Sequence, residues 1–278
     1  MNAYLSIARW PDHLDEADKV RLLCTHVGLD PYAARLIAVR PVPLVVGRYE
    51  QAVCLDSARR LREAGVGAYA PTRADFDTIK SAPRVKALLP ALGAPEPMYT
   101  VECWDGRTAV LKSRHIVMLV RARLDSSSVS STIRSGGGTG GSMAAGMMLG
   151  SPLIGMAASG GSSVERTSRH KSSHVLDIYV KNGTRVRIDG DKFNFDVLGD
   201  AKSYADLQNM DLLTNRLATE APAAVIETGF KNFKCPADVL SDAFSAVGDA
   251  GVHRRNDAGP FDFFSAWIYL LHKAESIF

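Results

Sequence analysis

Apolar residues recur at two different spacings along this chain, and the alternation between them sets out its elements. Leu5 and Ile7 share one side of a short strand over Tyr4–Ile7. Val20, Leu23, Cys24 and Val27 then fall on one face of a helix within 14–27. A second helix begins at Asp30-Pro31, where the carboxylate can accept from free first-turn amides and proline loses nothing by lacking an N–H. Ala33, Ala34, Leu36 and Ile37 supply its apolar stripe. After Pro41-Val42-Pro43, Leu44, Val45 and Val46 read as a central strand ended by Gly47. Leu55, Ala58 and Leu61 line a third helix closed by Gly65, and Ala68–Ala70 returns as a strand before Pro71. The order is β-α-α-β-α-β, a small sandwich over residues 1–75.

Between Phe76 and Pro97 the prolines 83, 90, 95 and 97 break every longer pattern, which predicts a linker. Strand patterns follow on either side of Trp104-Asp105-Gly106-Arg107, in which Asp-Gly is a favoured hairpin turn. Ile116–Leu124 adds a strand, and Val175–Val180 and Arg185–Ile188 flank the Asn182-Gly183 turn. Because hairpins of one kind stand before and after it, residues 125–173 are predicted to be a flexible insertion that interrupts a single antiparallel sheet. Helical faces then appear at Tyr204, Leu207, Met210, Leu213 and Leu217, and at Val239, Leu240, Ala243, Phe244 and Val247. The run Phe261–Leu271 is too short to span a bilayer and predicts a buried terminal helix. The fold class predicted is α+β, with residues 98–278 an antiparallel sheet backed by helices.

Over residues 3–75, three stretches carry a family likeness: Ala34-Arg35-Leu36, Pro41-x-x-Leu44-x-x-Gly47 and Leu61-x-Glu63-Ala64-Gly65. With the element order, they make this region resemble the C-terminal domain of the bacterial ribosomal stalk protein and the related adaptor of the Clp protease. The resemblance implies a small binding-type module. Where the ribosomal domain carries a Gly-rich, Lys-bearing loop that meets translation factors, this chain has Gly28-Leu29-Asp30-Pro31, so that function does not carry over.

Charge narrows the functional classes. The 33 basic residues against 30 acidic ones give only +3, too weak a field for a duplex-binding surface, so no nucleic-acid partner is expected. Cys24, Cys54, Cys103 and Cys235 form no CxxC pair and suit a reducing compartment. Met1–Trp10 lacks the pattern of a secretory signal, and a cytoplasmic location is expected.

No motif brings clear chemistry. Gly136, Gly138 and Gly141 match the dinucleotide fingerprint, but a serine run precedes them where an apolar strand is needed. Ser142 stands where a phosphate-binding loop would carry lysine. His170 and His174 have helical metal-ligand spacing without a third ligand, and Asp189, Asp191 and Asp196 lack the calcium-loop pattern. No catalytic residue, metal or cofactor is therefore expected. From Ser135 to Val164 nothing is ionisable, and ten glycines with Pro152 oppose a helix. Met143, Met147, Met148, Leu149, Leu153, Ile154 and Met156 then form a candidate adhesive loop. These features predict a non-enzymatic protein-interaction protein; membrane contact through the loop and an enzyme site at the domain junction are the alternatives.

Overall fold

Both faces of the first strand are covered, and this decides how the two halves of the chain meet. In the computed structural model, which describes residues 2–79, 81–91, 93–135, 162–241, 244–247 and 252–275, β1 (Asn2–Arg9) buries Ala3, Leu5 and Ile7 on one side. That side receives α1 (Glu16–Val27), α2 (Pro31–Ala38) and, after β2 (Leu44–Glu50), α3 (Gln51–Glu63), through Leu23, Ala34, Ile37, Cys54, Ala58 and Leu61. Asp30 caps α2 by accepting from the Tyr32 and Ala33 amides, as its position before Pro31 predicts. Leu36 points outward instead of into the core, and the buried side of α2 runs through Ala34, Ile37 and Ala38.

With β3 (Gly67–Tyr69) the element order is the β-α-α-β-α-β one predicted, and the antiparallel strand order is β2-β1-β3. The strand at Leu44 is thus an edge and not central. It runs through Gly47 to Glu50, and its outer half is polar, a composition that an edge tolerates and a strand enclosed on both sides does not.

The predicted linker at 76–97 is instead structured. After α4 (Arg73–Thr78), β4 (Arg84–Pro90) buries Val85, Ala87 and Leu88 and lies inside the second sheet. Pro90 ends the strand and Pro95 and Pro97 lie beyond it, so the breakers border the element without interrupting it. The hairpin of β5 (Met98–Cys103) and β6 (Thr108–Lys112) follows, then β7 (Ile116–Ser135), β8 (Ser162–Val180) and β9 (Arg185–Asp189), the last two joined through the Asn-Gly turn.

β7 and β8 pair without a gap from Met118↔Tyr179 to Ser135↔Ser162. The stretch predicted as a flexible insertion, 125–173, is therefore strand on both flanks, over 125–135 and 162–173. The ladder is made by backbone groups, which a Ser- and Thr-rich segment supplies as fully as an apolar one. Met143, Met147, Met148, Leu149, Leu153, Ile154 and Met156 lie outside the described residues.

α5 (Asp206–Glu220) covers one face of this sheet with Met210, Leu213 and Leu217 against Leu119, Leu176, Ile178 and Ile188. β10 (Val225–Glu227) runs parallel to β7 at 118–120. The second predicted helical face divides: α6 (Ala237–Ser241) is one short helix, while Phe244–Val247 forms β11, paired to β12 (Val252–Asn256), which in turn pairs with β7 at 126–129.

The terminal helix α7 (Ala258–Ala274) is apolar on nearly every side because both sides are occupied. Met118, Val120, Val175 and Tyr179 of the large sheet meet it from one direction, and Tyr4, Ala8, Val45 and Tyr69 of the small sheet from the other. Trp267 donates from Nε1 to the Ser6 hydroxyl at 2.9 Å, with both side chains fully buried. The first 75 residues are thus a module in topology that shares its outer face with the rest of the chain.

Candidate functional site

Where the open side of β2 approaches β7, the chain leaves a groove of about 1270 Å³. Val45–Arg48 of the small sheet, Ala122, Arg123 and Asp125 of β7 and the segment 228–238 wall it, so it lies between the two halves. How that segment is held explains the groove's charge. Gly229–Asn232 is a 3-10 turn, with three residues per turn, and the sequence Phe230-Lys231-Asn232-Phe233-Lys234 repeats with the same period. Phe230 packs on Phe261 with centroids 5.3 Å apart, and Phe233 lies 4.9 Å from Trp267. The aromatic rings anchor the segment to α7, while Lys231 and Lys234 remain exposed at the groove.

Three lining anions are already engaged. Asp238 accepts from the Tyr4 hydroxyl at 2.8 Å and from Arg48 at 3.0 Å. Asp125 faces Arg123 at 3.4 Å, and the Asp125 amide donates to Asp257 at 3.2 Å. That leaves Arg40, Lys231 and Lys234, for which no anionic partner exists among the described residues. Arg40 lies in the turn after α2, and its Nε is buried without a hydrogen-bond acceptor. A buried charged donor left in that state costs about 1–3 kcal/mol or more relative to a satisfied one. Three cations of the lining are thus left without a carboxylate partner among the described residues.

Its nucleophilic chemistry is weak. The Cys235 thiol is pushed up to about 12, first by burial and then by the neighbouring Asp238 charge, so it stays protonated near neutral pH. The Tyr4 hydroxyl is likewise raised to about 12, by burial and by donating to Asp238. The lining holds no histidine, and among the described residues no group of three His, Cys, Asp or Glu could hold a metal ion.

The residues that the sequence raised as possible ligands are not assembled. His170 and His174 lie on β8, a strand, where four residues span about 13 Å, too far to share an ion. Asp189, Asp191 and Asp196 face Arg84, Lys171 and Lys202 at 3.3, 2.5 and 2.8 Å, each on its own partner. Ser265 donates to Asp177 at 2.6 Å in a pairing that looks chemical, but both side chains are wholly buried inside the packing of α7. Arg40, Lys231 and Lys234 were not singled out by sequence reasoning. The period-three Phe-Lys repeat was the signal available for two of them; nothing local marks Arg40.

Among the described residues, no helix is long and apolar enough to cross a membrane. No family model, curated protein or solved structure matches the chain.

Proposed function

We propose that this chain is a non-enzymatic binding protein whose junction groove receives an anionic partner. Arg40, Lys231 and Lys234, three cations of the groove lining with no carboxylate partner among the described residues, carry the proposal. An anion entering the groove would meet these three charges, and the two exposed lysines would add attraction that speeds encounter. The groove also meets the geometric condition for an enzyme at the domain junction, but its one thiol is held protonated and its three carboxylates are each already engaged by a donor. Binding is therefore the better supported use. Four free cysteines suit action in a reducing compartment.

Titration of the full chain with a short polyglutamate peptide at low ionic strength tests the proposal. The double variant Lys231→Glu with Lys234→Glu is expected to bind at least tenfold more weakly, roughly 1.4 kcal/mol. Both lysines are exposed and unpaired, so the fold tolerates the change. Undiminished binding by the variant would refute an anion-receiving role.

A further inference from the structure

One wall of the groove is an unfilled strand edge. β2 pairs with β1 alone, and among the described residues no backbone group of Val45–Arg48 bonds to any other segment. The direction of these groups follows from the ladder. The Tyr4 amide donates to the Pro71 carbonyl at 3.0 Å, on the β3 side of β1. In an antiparallel sheet, a residue that bonds toward one neighbour makes a non-hydrogen-bonded pair with the residue opposite it on the other neighbour. Tyr4 stands opposite Arg48, so the N–H and C=O of Arg48 point away from β1, out of the sheet edge that walls the groove. A bulge adds to this. Leu5 pairs with Gly47 and Ser6 with Val45, which leaves Val46 unopposed.

We propose that this edge takes an extended acidic segment of a partner protein as an added strand, with its carboxylates meeting Arg40, Lys231 and Lys234. The proposal rests on the anion-receiving role of the groove and goes beyond it by assigning the backbone of β2 as the second half of the recognition. Charge complementarity selects the occupant. Three cations without partners stand beside an open edge, and the one acid within β2, Glu50, lies beyond the groove lining. Main-chain bonds to the edge would supply affinity, and acidic side chains on one face of the added strand would supply selection. A small anion such as tripolyphosphate could satisfy the cations but would leave the edge open.

The test uses the full chain and a seven-residue peptide alternating Glu and Val, followed by fluorescence anisotropy. Two derivatives carry N-methyl groups at alternate amides, one set at the Glu positions and the other at the Val positions, without changing side chains or charge. A strand offers only alternate amides to a neighbouring edge, so one derivative should bind at least tenfold more weakly than the parent and the other about equally. Exchange of the Arg48 amide with solvent should slow at least tenfold on binding of the parent peptide and not on addition of tripolyphosphate. Equal binding of all three peptides, abolished by Lys231→Glu with Lys234→Glu, would overturn strand addition and leave the anion role intact. Peptide binding indifferent to those two lysines would overturn both.

Discussion

Replacing Asp177 with alanine is expected to destabilise the protein by about 3–5 kcal/mol, seen as a large fall in the urea midpoint. Asp177 is wholly buried between β8, β9 and α7. It accepts from Arg187 Nε and Nη2 at 2.7 and 2.8 Å, from Ser265 at 2.6 Å and from Arg185 at 3.5 Å. Burial works against the charge of Arg187, and the carboxylates of Asp177 and Asp262 more than offset it, holding the guanidinium above its ordinary range. Without Asp177, two buried guanidinium groups would share only Asp262, whose side chain is half exposed. Most of the expected loss is the cost of those stranded cations, not the worth of the pair itself. Asp262→Ala should cost about 1 kcal/mol or less, because water can replace an exposed partner. If Asp177→Ala matched Asp262→Ala, the buried network would not be a structural keystone.

Trp267→Ala should cost a similar 3–5 kcal/mol, the usual range for removing a buried aromatic side chain. Trp267 is fully buried at the point where α7 meets the small sheet, and its ring also supports Phe233. The variant should lose the seat of the 229–236 segment along with global stability. Proteolytic cleavage within 228–236 should therefore accelerate more than the fall in global stability accounts for, which separates local loosening from complete unfolding. Trp267→Phe, which keeps most of the volume, should lose far less.

The parts of the fold that could be read from sequence are those in which side chains decide the outcome. The capped helix at Asp30-Pro31, the Asn182-Gly183 hairpin and the apolar run of α7 are all local signals, and each appears where predicted. What escaped was decided elsewhere. β4 is bordered by prolines that read as a linker, but beyond its neighbour β5 it is held by pairing with the distant β9, Arg84 opposite Arg187 and Val85 opposite Ile188. The outer halves of β7 and β8 are serine-rich, and their ladder depends on backbone groups that every residue carries. Leu44–Val46 looks like an enclosed strand on three residues, while the polar end of the same strand marks the edge it forms. The groove shows the same limit. Phe230-Lys231 and Phe233-Lys234 repeat legibly, but Arg40 joins them only because α7 brings β2 and the 228–238 segment to one place.

A single titration decides the role of the groove: backbone amide resonances of the full chain followed as an acidic peptide is added. Shifts should concentrate at Arg40, Val45–Arg48 and Lys231–Cys235, with the α5 side of the large sheet unmoved. Saturable shifts confined to residues outside the groove, with Arg40, Arg48 and Lys234 unperturbed, would contradict it.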